Sequence, residues 1–324
     1  MGEFELIQRF FARPAQRAAL GTGDDCALLQ PADGMQLAIS SDMLVEGRHF
    51  LSTVDPAKLG HKALAVNLSD LAACGATPLA FTLALALPRA DESFLAPFSQ
   101  GLLALADAHG CELVGGDTTQ GPLNICITVF GEVPAGQALL RSGAKAGDDL
   151  YVSGTLGDAR LALEVFRGKL SVPQAVFDAA RARMEQPTPR VALGQALRGV
   201  ASSAIDLSDG LLGDLGHVLR ASGVGARIDT AVAIDLIAAY AEPVRAAAGF
   251  DAETALEFVL AGGDDYELAF TAPVSARAAV QAAARATQTP VTRIGAIEAE
   301  PGLRLVGADG QLLTRRYASF DHFA

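Results

Sequence analysis

Six short clusters of glycine, serine and aspartate break up the apolar segments of this chain. They are Gly21-Thr22-Gly23-Asp24-Asp25, Ser40-Ser41-Asp42, Asn67-Leu68-Ser69-Asp70, Gly115-Gly116-Asp117-Thr118-Thr119, Asp206-Leu207-Ser208-Asp209-Gly210 and Gly262-Gly263-Asp264-Asp265-Tyr266-Glu267. Most of them stand where an apolar run ends, as turn and helix-capping residues do, so they punctuate alternating strands and helices. Apolar periodicity predicts a short helix over Glu3 to Ala12 and a buried strand from Leu37 to Ile39 that ends on Ser40-Ser41-Asp42. A helix from Lys58 to Ala73 follows Pro56, then a strand from Leu79 to Leu87 and a helix from Asp91 to His109. Glu112 to Val114 leads into the Gly-Gly-Asp-Thr-Thr turn, and Leu123 to Val133 alternates as a strand.

The composition turns to Gly, Ala, Lys and Arg between Pro134 and Asp149, which predicts a domain boundary near residue 140. Strands are expected at Asp149 to Ser153, Ser203 to Ile205, Ala226 to Ile228, Tyr266 to Thr271 and Val291 to Ile297. Helices are expected over Asp158 to Arg167, Pro173 to Glu185, Pro189 to Gly199, Leu211 to Ser222 and Pro273 to Thr287. A chain of 324 residues also exceeds what one core usually organises. The expectation is an α+β (mixed α/β) protein of two domains, 1–140 and 141–324.

Hydrophobic residues make up 50% and charged residues 19%, an ordinary globular balance. The net charge of −12 argues against a broad surface for nucleic acid or anionic lipid. The longest apolar run, Leu79 to Leu87, is about half the ~20 residues a spanning helix needs, so no membrane segment is expected. The start, Met1-Gly2-Glu3-Phe4-Glu5, carries acid where a signal peptide carries base, and no export or lipidation is indicated. Cys26, Cys74, Cys111 and Cys126 have no C-x-x-C spacing, which makes a reduced cytoplasmic compartment the default.

Singly, each acidic cluster has a bland reading as a turn or cap. Asp70 is the exception: Asn67-Leu68-Ser69-Asp70 puts polar groups inside an otherwise apolar helix, where burial is costly unless they are satisfied. Carboxylates that converge repel one another and stay ionised together only around a cation. Candidate ligands that are all oxygens, without paired His or Cys, suit magnesium or manganese rather than zinc. There is no G-x-x-x-x-G-K-[ST], no G-x-G-x-x-G after a strand, and only four lysines in the chain. A nucleotide bound here would have its phosphates neutralised mainly by metals, helped by an arginine such as Arg141.

In order and spacing, these clusters resemble the thiamine-monophosphate kinase family, of the superfamily that includes aminoimidazole-ribonucleotide synthetase and selenophosphate synthetase. The resemblance runs nearly end to end. It includes Gly2-Glu3-Phe4, Gly-x-Gly-Asp-Asp at 21 to 25, Ser-Ser-Asp with Gly47-Arg48-His49-Phe50, and Lys62 through Ala73. It continues through Gly-Gly-Asp-Thr-Thr, Arg141-Ser142-Gly143-Ala144, Ile205 through Gly210, and Asp321-His322-Phe323. Carried over by position, it implies magnesium ligands at Asp25, Ser40, Ser41, Asp42, Asp70, Asp117, Asp206 and Asp209. It also implies ATP contacts at Gly116, Asp117, Arg141 and Ser208, and thiamine monophosphate contacts at His49, Asp264 and Tyr317. The family usually has Glu at 264 and often Trp at 317, so the acceptor pocket is where this chain departs. The fold implied is a homodimer whose N-terminal sheets pair into a barrel, with the C-terminal domain completing an active-site cleft.

An acceptor that is itself a phosphate monoester arrives largely dianionic, so no general base is expected and charge neutralisation should carry the rate. The competing readings are an amidine-cyclising synthetase of the same superfamily and a calcium-binding scaffold built on aspartate-rich turns. Selenophosphate synthesis is disfavoured because Cys26 is the first cysteine.

Overall fold

The computed structural model describes residues 2–22, 25–237, 251–315 and 317. Gly23, Asp24 and the closing Asp321-His322-Phe323 lie outside them. The chain divides into two units, Met1–Leu71 with Ala76–Ala138 and Ala72–Gly75 with Leu139–Ala324, both mixed α/β.

In the first unit α1 (Glu3–Phe10) and β1 (Met35–Val45) are followed by α2 (Pro56–Ala73), β2 (Thr77–Leu87), α3 (Glu92–His109), β3 (Glu112–Gln120) and β4 (Asn124–Pro134). The sheet order is β1-β4-β2-β3, antiparallel except for the parallel β2–β3 pair. Asp55 caps α2 by accepting from the amides of Ala57 (2.8 Å) and Lys58 (3.2 Å), ahead of Pro56 in the first turn. Asp91 caps α3 through Ser93 N at 3.0 Å, and Gly110 ends it in the left-handed region. Ile125, Ile127 and Val129 of β4 and Leu83 and Leu85 of β2 are buried. Each such side chain withdrawn from water contributes about 1.5–3 kcal/mol.

The two helices approach closely because each presents a glycine to the other. A Cβ on Gly60 would stand 2.0 Å from Phe98 O, and one on Gly101 would stand 1.9 Å from Ala57 O.

On the sheet's other face Ala18, Ala27, Leu29 and Phe130 pack against Leu79, Ala80 and Val114. Strand β1 lies at the sheet edge, with Leu37 42%, Ile39 60% and Met43 51% exposed.

Strand β1, expected to be buried and to end on Ser40-Ser41-Asp42, instead runs through them to Val45 and leaves Leu37 and Ile39 exposed at the sheet edge. The predicted turn at Gly115-Gly116-Asp117-Thr118-Thr119 is likewise part of β3. Pairing with β4 and β2 overrides the turn preference of these residues.

The second unit begins with β5 (Asp149–Ser153), α4 (Asp158–Phe166), α5 (Gln174–Glu185), α6 (Val191–Ala196), β6 (Ser203–Asp206) and α7 (Leu211–Ser222). Then come β7 (Gly225–Asp229), α8 (Thr230–Ala233), α9 (Ala252–Ala261), β8 (Leu268–Ala272), α10 (Arg277–Ala286), β9 (Val291–Glu298) and β10 (Gly302–Val306). Its sheet runs β10-β7-β9-β5-β8-β6. Every residue of β5, β6 and β8 is buried, so the neighbouring loops rise from a rigid core. Helix α9 and strand β10 were not predicted. The predicted strand at Tyr266 starts only at Leu268, and the predicted helix at Pro189 to Gly199 is confined to Val191–Ala196. No helix among the described residues is long and apolar enough to cross a membrane.

Candidate active site

In the first unit β1 lays its polar residues on alternate faces. Ser40 and Asp42 are half-buried on the face that meets α2. Ser40 Oγ donates to Asp70 Oδ2 at 2.5 Å, and the Asp42 amide donates to Asn67 Oδ1 at 3.1 Å. Asn67, itself buried, returns a bond from Nδ2 to Ala63 O at 3.0 Å. The polar patch of α2 is therefore a clasp on β1. It gives both ends of the Asn67 amide a partner and sets Asp70 beside Ser40.

Ser41 is on the opposite face, its Oγ 3.0 Å from Thr128 Oγ1 and donating to Ile127 O at 3.1 Å. Asp117 is exposed on that same face, in the row Met43, Cys126, Ala84 and Asp117 formed by the strand register. Gly116 before it takes φ +148°, and a Cβ there would stand 1.9 Å from Leu83 O, so only glycine lets β3 reach β2 at this point. Asp25 is exposed in the loop before Cys26. His49 closes the turn after β1: its Nδ1 accepts from Val45 N at 2.9 Å and its amide donates to Val45 O at 3.0 Å. That acceptor role puts the proton of the neutral ring on Nε2, which is then its donor atom.

In the second unit the loops after β6 and before β8 are stitched into one ladder. Asp264 N donates to Ser208 O, Tyr266 N to Leu207 O and Leu207 N to Glu267 O, each at 2.8 Å. The structure thus brings together Ser208 and Asp264, with Asp206 at the end of β6 and Asp209 in the same turn. Asp264 and Tyr266 hold φ +72° and +52°. Such conformations are uncommon for residues with side chains and persist where the surroundings over-determine them.

Sequence reasoning missed Asp214, one turn into α7. Its buried Oδ2 accepts from the amides of Asp209 (3.0 Å) and Gly210 (3.1 Å). Burial pushes its carboxyl up to about 6, against the lowering effect of those amides and reinforced by the charge of Asp209. Asp265 was read as part of a turn but is buried, accepting from Gly157 N at 3.1 Å. Burial raises its carboxyl well above the usual range, again against that hydrogen bond. The only sequence signal for either is an acidic residue within a glycine-rich turn or the first turn of a helix.

Arg141 is exposed, and its carbonyl accepts from Ser222 Oγ at 3.3 Å. Burial first, then the charges of Arg220 and Arg141, lower the His217 pKa, while Asp209 opposes them. Tyr317 packs on the core of this unit with the Arg315 guanidinium 5.3 Å from its ring centre.

Among the described residues no three His, Cys, Asp or Glu side chains are grouped as a metal cage. What the donor set offers is hard oxygen, with Ser40, Asp70 and Asp42 on one face, and with Asp206 ending β6 and Asp209 in the turn that follows it. This fits magnesium, which keeps several waters and shares its shell with phosphate oxygens. The same set gives nothing for a soft metal.

A family model described as AIR synthase related protein, N-terminal domain, matches residues 23–133, and its C-terminal counterpart matches residues 145–308. The thiamine-monophosphate kinase of Escherichia coli K12 is 48% identical over 330 residues, covering 100% of this chain and 98% of that one. The crystal structure of thiamine-monophosphate kinase from Stenotrophomonas maltophilia K279a aligns with a TM-score of 0.83 at 44% identity, covering 96% of both chains. A solved structure of AaThiL complexed with AMPPCP and TMP aligns with a TM-score of 0.77 at 29% identity, covering 91% of this chain and 89% of that one.

Proposed function

The chain belongs to the thiamine-monophosphate kinase family, and on that premise we propose that it phosphorylates thiamine monophosphate to thiamine diphosphate at the expense of ATP. The single observation that carries this reading is the bond from Asp264 N to Ser208 O at 2.8 Å, which joins the loop assigned to the acceptor to the loop assigned to the nucleotide. The neighbour complexed with AMPPCP and TMP supports the same pair of ligands.

In this reading Gly116, Asp117, Arg141 and Ser208 hold ATP, and His49, Asp264 and Tyr317 hold the acceptor. The acceptor phosphate oxygen attacks the γ-phosphorus in line, the bond from that phosphorus to the β–γ bridging oxygen breaks, and ADP leaves. The nucleophile is already ionised, so His49 donates a hydrogen bond from Nε2 and takes no proton. Asp25, Ser40, Ser41, Asp42, Asp70, Asp117, Asp206 and Asp209 would hold magnesium, which neutralises polyphosphate charge when bound. Eight residues exceed the roughly six oxygens one magnesium accepts, which favours several ions.

We also propose a cytoplasmic homodimer, formed through the N-terminal sheets, with residues 1–140 as the dimerising and metal-binding domain and 141–324 completing the cleft. No disulfide joins Cys26, Cys74, Cys111 or Cys126, in keeping with a reduced compartment. An eleven-residue edge strand bearing Leu37, Ile39 and Met43 on an exposed face is a template for pairing and is seldom left uncovered. The double variant I39D/M43D is expected to sediment as a monomer while the parent sediments as a dimer; a dimeric variant contradicts the interface.

In-line transfer is tested with ATP made chiral at a thio-substituted γ-phosphorus. Inversion at phosphorus in the diphosphate product is expected, and retention would indicate a phosphoenzyme.

A further inference from the structure

The loops bearing Ser208 and Asp264 share a ladder, yet each is braced from a different side. The Ser208 turn is held by Asp214 through the amides of Asp209 and Gly210. The Asp264 loop is held by Glu267, whose side chain is fully buried.

Glu267 accepts from Arg183 Nη2, from Arg190 Nε and Nη2, and from Ser153 Oγ, every one at 2.6 Å. Ser153 Oγ in turn accepts from Leu268 N at 2.8 Å, which ties the first residue of β8 to the last of β5. The seat is cut to fit: Gly154 sits at φ +54°, and a Cβ there would stand 2.1 Å from Glu267 Oε1. The Arg190 fork and a single further bond from Arg183 on one buried carboxylate fix both its position and its orientation. Between this anchor and the ladder bonds to Leu207 and Ser208, the backbone of Asp264 and Tyr266 is forced into its positive φ values. Substrate groups do not reach a side chain with no exposure, so Glu267 can act only through the loop it holds.

We propose that Glu267, clamped by Arg183 and Arg190, is a positioning residue that aims Asp264 at the acceptor, while Asp214 separately aims Ser208 at the nucleotide. The inference rests on the reading of Asp264 as an acceptor contact, an anion suited to the cationic thiazolium ring of a thiamine ester.

The test is steady-state kinetics with both substrates on R183Q, D214N and D264A, with thermal melts on each. R183Q keeps the bidentate Arg190 bond and changes a side chain that is 23% exposed, so it is expected to fold. It is expected to raise KM for thiamine monophosphate about tenfold with KM for ATP within about twofold, and R183K should recover part of the loss. D214N is expected to do the reverse. Equal shifts in both constants for both variants, or losses that only track the melting temperature, overturn the inference. Should R183Q melt below the assay temperature, R183K reads the same two constants and decides in the same way. If D264A leaves the acceptor KM unchanged, the acceptor assignment itself fails. If D264A raises it and R183Q does not, only the clamp fails.

Discussion

Replacing Asp70 with alanine is expected to lower kcat by about a thousandfold or more while leaving the melting temperature within a few degrees. The effect is large because the assigned chemistry has no proton-transfer residue to share the burden. Stabilisation of charge on the transferring phosphoryl group falls to the aspartates and the ions they would hold. The structural cost is small because Asp70 and its Ser40 partner are both only half-buried, so water can take the place of the lost acceptor. Loss of one such hydrogen bond is worth about 1 kcal/mol. Turnover and thermal melts on the same preparation check both halves. For the milder D42N, raising free magnesium is expected to recover part of the activity, as mass action requires of a weakened site. A D70A protein with near-normal turnover would contradict the metal assignment.

A second large effect is expected from Gly101→Ala, in a helix that carries no candidate ligand. The new Cβ would meet Ala57 O at 1.9 Å and Ala57 C at 2.7 Å, and a backbone carbonyl cannot move aside as a flexible side chain can. Helices α2 and α3 must then separate, which disturbs the packing of Leu59, Phe98 and Leu102. A destabilisation of about 3 kcal/mol follows, or roughly 10 °C in Tm for a unit of this size. Gly110→Asn is the control: the site is left-handed at φ +58°, nothing lies within 4 Å of the added Cβ, and asparagine tolerates that conformation. It should melt close to the parent. Equal melting of the two variants would mean that the helix crossing is not what the glycines serve.

Helices α2, α3 and α7 were legible in the sequence because their apolar periodicity is long and their ends carry local signals, Asp55 with Pro56, Asp91, and the left-handed Gly110 and Gly223. The polar strand segments were not. Ser40-Ser41-Asp42 reads as the end of a strand since three polar residues follow an apolar run. They continue the strand because Asn67 and Asp70, some 30 residues on, supply partners to one face, while Thr128 serves the other. Gly115 and Gly116 read as a turn for the same local reason, and the close approach of β2 that calls for Gly116 is equally non-local.

At the candidate site the composition pointed to aspartates and glycines, and the structure joins the Ser208 and Asp264 clusters through their backbones. The bracing roles were not legible. Glu267 is one acidic residue after a Gly-Gly-Asp-Asp-Tyr run, and nothing nearby in sequence indicates that Arg183 and Arg190, 77 to 84 positions earlier, close on it. Asp214 looks like a helical surface residue until the turn before it is seen to fold back over its carboxylate.

The central claim is tested most directly by phosphorus NMR of the purified protein with ATP, magnesium and thiamine monophosphate. Thiamine diphosphate and ADP are expected to appear together in a one-to-one ratio and to stop on chelation of the metal. ADP accompanied by free orthophosphate, with thiamine monophosphate unconsumed, would contradict the account.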